Sequence, residues 1–382
     1  MKIKDVTSHL VHPGTGKNWL FVKVDTDAGI HGWGECYTQT DRDRAIATML
    51  EAMRRYLVGR DAGAIKHLTH ALYHDFLHKR GSMEFYSAVS GLEQALWDAQ
   101  GKALGVPVHR LLGGPCRERV RVYANGWAGG NQDPREVARR AKDLVARGFT
   151  AMKWDPFPGP WREWISADDE RAAVESLRVV RETVGPDVDL LVECHRRLAP
   201  MHAVRLARAM APYNPFWFEE PVSSRHMAEL AAVRAQITLP VVTGEELYGK
   251  TDFREVFERR AADIINPDVC NTGGILELKE VAAMAEPYLV AVSPHNYNST
   301  TVGLAATVHV SAAIPNFLIT EYFVNFEAVG QEVARPPLLP VNGYITVPET
   351  PGLGIDLDES ALRARAYRDF PAHPIRTPRE ES

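Results

Sequence analysis

Apolar and polar residues follow two different patterns along this chain, and the pattern changes near residue 118. Residues 2–11 and 19–27 alternate apolar and polar side chains, which predicts antiparallel strands with one buried face. Beyond them, apolar residues recur at helical spacing in three segments. The predicted helices are 42–59, 64–78 and 87–105. Strands followed by helices indicate an α+β domain over residues 1–118.

Short apolar runs alternate with helical patterns over residues 119–340. The runs are residues 119–125, 149–155, 188–195, 216–221, 239–246, 262–268, 289–295 and 317–322. Alternating strands and helices predict an α/β fold in which eight parallel strands close into a barrel. The remaining segment, 341–382, combines Pro and Gly with short extended pieces, and we expect it to pack back on the N-terminal domain.

Composition and charge narrow the class of protein. Of the 382 residues, 45% are hydrophobic and 24% are charged, which is ordinary for a globular protein. The net charge is −5 and Lys and Arg are dispersed, so we expect no nucleic-acid partner. The N-terminal segment lacks the apolar core of a signal peptide, and no apolar run reaches membrane-spanning length. Four cysteines without a CxxC pair indicate reduced thiols, so we expect a cytoplasmic protein.

A ladder of acidic and imidazole side chains runs through the predicted barrel, with one rung at the C-terminal end of each of six successive apolar runs. The rungs are Glu193, Glu219, Glu245, Asp268, His295 and Glu321. They recur about every 25 residues, as expected when each strand-and-helix unit contributes one polar side chain. Active sites of such barrels are built at the C-terminal ends of the strands. The ladder therefore predicts the location of the chemistry.

Three consecutive rungs, Glu193, Glu219 and Glu245, form the most informative group. Parallel strands lie about 4.8 Å apart, so these carboxylates should converge and raise one another's pKa. A divalent cation relieves the repulsion, and an all-oxygen ligand set favours Mg²⁺, one per subunit, over Zn²⁺. The alternative is three surface acids that each pair with a Lys or Arg. We expect Glu220 and Glu246 to face the helix layer, although the pattern alone leaves open which member of each pair binds the ion.

Two histidines are candidates for proton transfer. Asp268 and His295 end neighbouring strands, and a carboxylate beside an imidazole fixes its tautomer and raises its basicity. His295 is therefore a candidate general base or acid. His195 lies two residues after Glu193 and across the predicted barrel mouth from His295. The alternative is a structural role for the histidine, which a position at the strand ends disfavours.

Further polar residues complete the predicted rim of the barrel. Lys153 and Asp155 end the second strand on one face. Lys153 is a candidate to neutralise a substrate carboxylate, and Asp155 either binds a substrate hydroxyl or holds Lys153, with a simple salt bridge as the alternative. Glu321 ends the eighth strand, where a protonated carboxylic acid could hydrogen-bond an enolate oxygen. The loop at 156–171 either lines the site or is a stabilised surface loop.

Short motifs distributed over nearly the whole chain are together highly specific. In the first domain they are Gly32-Trp33-Gly34-Glu35, the segment 92–98 and Leu112-Gly113-Gly114. In the barrel they are Phe218-Glu219-Glu220-Pro221, Gly244-Glu245, Pro267-Asp268 and Ser293-Pro294-His295. On these motifs the chain resembles the mandelate racemase subgroup of the enolase superfamily. The resemblance implies an α+β capping domain over a (β/α)7β barrel, with Glu193, Glu219 and Glu245 as the metal ligands.

Within that subgroup the chain resembles acid-sugar dehydratases, especially those that act on galactonate-like aldonates. Those enzymes share a histidine at the position of His195, which implies that His195 protonates the departing 3-hydroxyl. Racemases of the subgroup carry Lys-x-Lys on the second strand, whereas Asp155 takes the second of these positions here. The dehydratases generally have Asp at the first metal ligand, where this chain has Glu193.

The implied reaction is the elimination of water from an aldonic acid. His295, oriented by Asp268, would remove the C2 proton, and the metal with Lys153 and Glu321 would stabilise the enediolate. His195 would then protonate the leaving hydroxyl, and the enol would become a 2-keto-3-deoxy acid. One alternative is a racemase, epimerase or cycloisomerase that uses the same enolate. The other is a metal-binding relative that does not turn over.

Substrate specificity is expected to lie in loops of the first domain. The candidates are Lys17, Asn18, Trp19 and Tyr37, with Trp19 and Tyr37 as substrate-binding residues, although surface residues without a role look the same in sequence. We expect the partner to be a small sugar acid. The resemblance also implies a homo-oligomer, either a dimer or an octamer.

Overall fold

The computed structural model describes residues 1–39, 41–76, 81–159, 162–370 and 375–381. Its N-terminal domain begins with three antiparallel strands that pair in chain order. They are β1 (Ile3–Val11), β2 (Trp19–Thr26) and β3 (His31–Cys36). The alternating sequence pattern predicted the first two, and the apolar side chains of β2 lie buried as expected.

Helices cover one side of this sheet. They are α1 (Asp43–Leu57), α2 (Ile65–Ala71), α3 (Met83–Leu104) and α4 (Val108–Leu111). The predicted helix 64–78 is shorter than expected, because α2 passes into a π-helical turn at Leu72–Phe76. Residues 77 and 78 of that prediction lie outside the described part of the chain. Helix α3 begins four residues earlier than predicted, where the Ser82 hydroxyl accepts a hydrogen bond from the Phe85 amide.

Strand β3 and helix α3 approach one another very closely. A Cβ atom on Gly34 would lie 1.8 Å from the carbonyl oxygen of Gly91, and one on Gly32 would lie 2.0 Å from that of Ala95. Only glycine fits at such contacts. Because side chains alternate along a strand, Glu35 points away from α3. The Gly-x-Gly-Glu segment therefore presents this glutamate to the rest of the protein.

Eight parallel strands form the second domain, as predicted. They are β4 (Arg119–Asn125), β5 (Ala151–Trp154), β6 (Asp189–Glu193), β7 (Trp217–Glu219), β8 (Val241–Thr243), β9 (Ile264–Ile265), β10 (Ala291–Val292) and β11 (Thr320–Phe323). Neighbours in the chain pair from β4 to β10, and β11 pairs with β4. A parallel bridge between Val292 and Phe317 joins β10 to the approach of β11, which closes the ring.

Helices between these strands form the outer layer of the barrel. They are α5 (Pro134–Ala146), α6 (Ala167–Val184), α7 (Pro200–Met210), α8 (Met227–Arg234), α9 (Gly249–Arg259), α10 (Ile275–Ala285) and α11 (Val302–Ala313). One helix separates each pair of consecutive strands, so the domain is a (β/α)7β barrel. None of the helices in the described residues is long and apolar enough to cross a membrane.

The C-terminal segment contacts both domains. After α12 (Glu327–Val333) it contains β12 (Ala334–Arg335), β13 (Tyr344–Thr346), β14 (Asp356–Leu357) and α13 (Glu359–Arg363). Strand β13 pairs antiparallel with β4, so this piece of the segment lies on the barrel. Further along, Asp356 accepts a hydrogen bond from the Trp33 indole at 2.6 Å, and Glu359 pairs with Lys23.

Candidate active site

Polar side chains at the C-terminal ends of the strands stand above an apolar barrel interior. The buried interior residues are Tyr123, Ala151, Leu191, Trp217, Val242, Ile264 and Ile319. Side chains two positions apart point to the same side of a strand, so the next inward position lies one layer higher. On most strands that position is polar, and these residues are Asn125, Lys153, Glu193, Glu219, Asn266 and Glu321. The strand period thus stacks a polar layer on an apolar one.

The three glutamates of the ladder lie together. Each of Glu193, Glu219 and Glu245 offers one carboxylate oxygen, and these oxygens lie within 4.8 Å of one another. All three side chains are buried, with relative exposures of 2%, 0% and 8%. Surface acids paired singly with Lys or Arg would not be buried in this way. We refer to these residues as the carboxylate trio.

Lys153 lies at the centre of this charge. Its Nζ atom is 2.6 Å from Glu219 Oε1, 3.2 Å from Glu193 Oε2 and 3.0 Å from Glu321 Oε1. Burial alone would lower the pKa of Lys153, but the charges of Glu219 and Glu321 outweigh it and hold that pKa well above its ordinary value. Lys153 is therefore held by glutamates, and the alternative in which Asp155 holds it is corrected.

The carboxylate trio fits a divalent cation. Oε2 of Glu219 is buried without a hydrogen-bond partner among the described residues, whereas Oε1 accepts the Asn266 amide at 2.9 Å. Burial, and then the charge of Glu193, raise the pKa of Glu219 well above its ordinary value. The carboxylates around Lys153 carry more negative charge than one ammonium balances. A hard cation with oxygen ligands would supply the missing positive charge.

A buried imidazole and carboxylate adjoin the trio. His295 Nδ1 lies 2.7 Å from Asp268 Oδ2, and its Nε2 lies 3.3 Å from Glu245 Oε2 and 3.5 Å from Glu321 Oε2. Burial by itself lowers the pKa of His295, but Glu245 and Glu321 raise it to about 9. Asp268 engages one ring nitrogen, so the other faces the trio. The predicted pair of neighbouring strand ends is therefore in contact.

Glu321 contacts both Lys153 and His295. Burial raises the pKa of the Glu321 carboxyl, but Lys153 and His295 lower it more, and the result is below the ordinary value. Asn125 also donates a hydrogen bond to Glu321 Oε1 at 2.7 Å. Glu321 therefore lies between two cationic groups and accepts a hydrogen bond from an amide.

A second imidazole lies at the end of β6. The backbone turns left-handed at His195, with φ of 49°, and its amide donates to Glu193 Oε1 at 2.7 Å. His195 Nδ1 lies 2.7 Å from Asp155 Oδ2, and Asp155 also accepts a hydrogen bond from the Arg197 guanidinium. Burial lowers the pKa of His195, but Glu193 and Asp155 reverse this, and the net shift is upward. Asp155 therefore orients a histidine.

A cavity of about 1420 Å³ opens over these groups. Its walls include residues from both domains, namely Tyr37, Lys153, Glu193, His195, Glu245 and His295. The two imidazoles thus face one space that is also lined by two members of the carboxylate trio, Glu193 and Glu245. Phe157 and Gly159 of the loop at 156–171 line it, whereas Trp164 of the same loop is 69% exposed. Residues 160–161 lie outside the described residues.

Trp19 is placed away from this cavity. Its side chain is 1% exposed and packs edge-on against Phe21 and Phe326, with ring centroids 6.1 and 5.4 Å apart. It does not line the cavity. The expectation that Trp19 binds substrate is therefore corrected, since a core side chain offers it no surface.

The other first-domain candidates are also buried. Lys17 Nζ donates to the Thr38 carbonyl at 2.8 Å and lies 3.9 Å from the Tyr37 ring centroid and 4.2 Å from that of Tyr297. Burial lowers the pKa of Lys17 to about 8. Asn18 donates to an Asp43 oxygen at 2.7 Å and is an internal structural contact. Of this group only Tyr37 reaches the cavity.

The glutamates beside the trio behave differently from one another. Glu220 is buried and accepts hydrogen bonds from the Thr243 hydroxyl at 3.0 Å and the Gly244 amide at 2.8 Å. Glu246 was expected to face the helix layer, but it lines the cavity and pairs with Arg196 at 3.2 Å. Gly244 has φ of 138°, which interrupts the strand alternation and turns Glu246 toward the opening.

Several contributors to the site were not identified from the sequence. Asn125 ends the first barrel strand, so the rule of one polar residue per strand end could have found it. Asn266 precedes Pro267-Asp268 and lies one inward position below Asp268 on its strand. Arg196 and Arg197 contact Glu245 and Asp155 across loops, and no sequence spacing indicates such partners. These four residues were missed.

Comparison with known proteins shows which family this chain belongs to. Residues 10–113 match the "Mandelate racemase / muconate lactonizing enzyme, N-terminal domain", and residues 136–361 match the "Enolase C-terminal domain-like" family. The chain belongs to the mandelate racemase and muconate lactonizing enzyme family. This membership confirms the resemblance drawn from the motifs. The barrel that carries the carboxylate trio is therefore that of an enolase-superfamily protein.

Relatives in this family extend over almost the whole chain. A protein of Ralstonia nicotianae named D-galactonate dehydratase is 34% identical, over 97% of this chain and 96% of its own length. One from Thermoproteus tenax named D-gluconate dehydratase is also 34% identical, over 92% of this chain and 70% of its own length. Among solved structures, a mandelate racemase/muconate lactonizing enzyme-like protein from a Roseovarius species is 36% identical, with a TM-score of 0.89 over 96% of both chains.

Proposed function

We propose that this protein is a Mg²⁺-dependent acid-sugar dehydratase that converts a galactonate-like aldonic acid into a 2-keto-3-deoxy acid. The observation that carries the proposal is the pair of carboxylate-bonded imidazoles, His295 with Asp268 and His195 with Asp155, that line one cavity. Removal of water needs a base for one proton and an acid for the leaving hydroxyl. Relatives named for this reaction cover nearly the whole chain, which supports the same assignment.

The carboxylate trio would hold the cation. Glu193, Glu219 and Glu245 supply only oxygen donors, which suits Mg²⁺ better than Zn²⁺. When bound, the cation would supply positive charge beside the substrate carboxylate as negative charge develops on it. Lys153 adds a fixed ammonium within 3.2 Å of two trio members. Buried in this way, these groups need little reorganisation during the reaction.

His295 would act as the general base. In the neutral form of His295, Nδ1–H donates to Asp268, so the unshared pair that accepts the C2 proton is on Nε2, which faces the trio. Loss of this proton leaves an electron pair that becomes the C1–C2 double bond of an enediolate. That pair then forms the C2–C3 double bond as the C3–O bond breaks.

His195 would protonate the hydroxyl that leaves C3. Asp155 engages Nδ1, so Nε2–H of the protonated ring is the donor, and water departs. The resulting enol takes a proton at C3, loses the proton of its 2-hydroxyl and becomes the 2-keto-3-deoxy acid. Asp155 replaces the second lysine that racemases of the subgroup carry on this strand. The side of the cavity opposite His295 thus holds a carboxylate-supported acid.

A keto-acid assay over a panel of aldonic and aldaric acids with Mg²⁺ tests the proposal. We expect a 2-keto-3-deoxy product from galactonate or a close stereoisomer. Exchange of the C2 proton in D₂O without any keto product would instead identify a racemase or epimerase. Neither exchange nor product across the panel, with Mg²⁺ bound, would leave a metal-binding protein without turnover.

We also propose a cytoplasmic homo-oligomer. Reduced cysteines fit that compartment, and three of the four, Cys36, Cys194 and Cys270, are buried free thiols. The family resemblance supports a dimer or an octamer. Light scattering coupled to size-exclusion chromatography would measure the mass against the 42.6 kDa of one chain.

A further inference from the structure

A buried glutamate of the N-terminal domain is bonded to the barrel close to His295. Glu35 Oε1 accepts the Ser299 amide at 2.7 Å, and Oε2 accepts the Ser299 hydroxyl at 2.5 Å and the Gly303 amide at 2.8 Å. Glu35 is fully buried, as are Ser299 and Gly303. These donors lie in the loop after β10 and the first turn of α11. Glu35 therefore fixes that loop from outside the barrel.

The bonded loop reaches the proposed base in one further step. Asn298 precedes Ser299, and its side-chain amide donates to both oxygens of Asp268, at 2.9 and 3.0 Å. Asp268 in turn accepts His295 Nδ1 at 2.7 Å. A continuous path of buried contacts thus runs from Glu35 through Asn298 to the imidazole. Movement of Ser299 would displace the donor that orients Asp268.

Neighbours of Glu35 in the N-terminal domain also hold the loop that carries Asp268. Gln94 of α3 accepts the Glu35 amide at 3.2 Å and donates to the carbonyls of Glu35 at 3.1 Å and Val269 at 3.2 Å. The Tyr37 amide donates to the Cys270 carbonyl at 3.0 Å. Both loops that form the imidazole–carboxylate pair are therefore anchored on the N-terminal domain, one through Glu35 of β3 and the other through Gln94 of α3 and Tyr37. The glycines at 32 and 34 permit this by letting α3 lie directly against the strand.

We propose that Glu35 is a positioning residue for proton abstraction, acting through Ser299 and Asn298 on the Asp268–His295 pair. The inference rests on the proposed function, because it concerns the step assigned to His295. In this view the N-terminal domain does more than cover the cavity. It also sets the orientation of His295 through contacts with the loop that follows β10.

A matched pair of variants separates positioning from general stability. Glu93 is also a buried glutamate of the N-terminal domain bonded to the barrel, since it accepts the Ile275 amide at 2.7 Å and the Leu276 amide at 2.9 Å. Those donors are in the first turn of α10. They are not linked through Asn298 to the Asp268–His295 pair. E35Q should lower kcat by about 10- to 100-fold with KM within about threefold, as loss of an orienting partner does. E93Q should keep kcat within about threefold of the wild-type value, although its Tm should fall about as much as that of E35Q.

Two further measurements decide the outcome. If Glu35 acts through Asn298, kcat of the E35Q/N298A double variant should lie within about twofold of kcat of the slower single variant. If the two residues act independently, the two reductions in kcat would multiply. Hydrogen–deuterium exchange of peptides covering 295–303 should rise in E35Q but not in E93Q, and this readout needs no substrate. Multiplying effects, or unchanged exchange in E35Q, would overturn the proposal. Failure of the wild type to dehydrate any sugar acid would instead refute the proposed function, and the exchange result would still test the link.

Discussion

His195 Nδ1 lies 2.7 Å from Asp155 Oδ2, although 40 residues separate them in the chain. The same distance joins His295 Nδ1 to Asp268 Oδ2 on the other side of the cavity. Each imidazole thus has its Nδ1 engaged by a carboxylate, which leaves Nε2 to meet a substrate. Two histidines with the same support but different surroundings suit a reaction that needs one base and one acid.

Asp155 should be required for elimination. In D155N the partner of His195 loses its charge, so the protonated imidazole is less stabilised and its orientation is less fixed. We expect the rate of keto-acid formation to fall by about 10- to 100-fold, the usual cost of losing such a partner. D189N is the control, because Asp189 begins β6 at the end of the barrel away from the cavity and pairs with Arg121 at 2.8 Å. Its rate of keto-acid formation should stay near that of the wild type. Equal rates in the two variants would contradict this role.

Replacement of His195 should separate the two proton transfers. H195N should abolish keto-acid formation while leaving part of the C2 proton exchange in D₂O, because His295 is untouched. Exchange is measured by NMR and product by a keto-acid assay. H202N is the matched control, since the Nδ1 atom of His202 also lies beside a carboxylate, that of Glu170 at 2.6 Å, but His202 does not line the cavity. Loss of exchange together with product in H195N would show that His195 does something other than protonate the leaving group.

Removal of one trio carboxylate should remove the metal. E219Q keeps the shape of the side chain but loses the charge, and Mg²⁺ affinity measured by titration calorimetry should fall by more than about 100-fold, since loss of an outer partner alone costs 10- to 100-fold. Treatment of the wild type with a chelator should abolish activity, and added Mg²⁺ should restore it. E246Q, at a neighbouring glutamate that is 43% exposed, should retain Mg²⁺ affinity within about threefold. Similar losses in both variants would argue against the trio as the ligand set.

Acid should destabilise the protein through a buried histidine of α11. Burial lowers the pKa of His309 to about 3, against 6.5 for an ordinary histidine, and its ring stacks on that of His109 at 5.3 Å. Between these pH values the unfolded state binds more protons, so the stability contributed by neutral His309 is present above pH 6.5 and is lost as the pH falls toward 3. Over this range the free energy of unfolding should fall by about 1.4 kcal/mol for each pH unit of acidification.

Urea unfolding between pH 7.5 and 4.5 measures this slope. In H309N the asparagine oxygen can still accept the His109 amide, which lies 3.2 Å from His309 Nδ1 in the wild type. The variant should be less stable than the wild type at pH 7.5, and the difference should shrink as the pH falls. An unchanged difference across this range would show that His309 is not the group responsible.

Local periodicity accounts for what could be predicted of the fold. Alternation with period two predicted the first strands, and apolar runs separated by helical patterns predicted the closed barrel. The same period explains why Glu193 and Glu219 point inward two positions after Leu191 and Trp217. Turns that break the period limited the prediction. Gly244, with φ of 138°, directs Glu246 into the cavity, although the alternation placed it toward the helices.

The barrel, its family and the set of strand-end residues that meet at its mouth could be predicted from the sequence, because spacing along the chain sets strand order and the direction in which side chains face. Which of these residues contact one another became apparent only in the folded protein. Lys153 pairs with glutamates and Asp155 with His195, Trp19 is buried in the core, and Glu35 reaches across to the loop behind His295. These contacts join residues far apart in sequence, and they depend on how loops turn and domains pack, which no local period encodes.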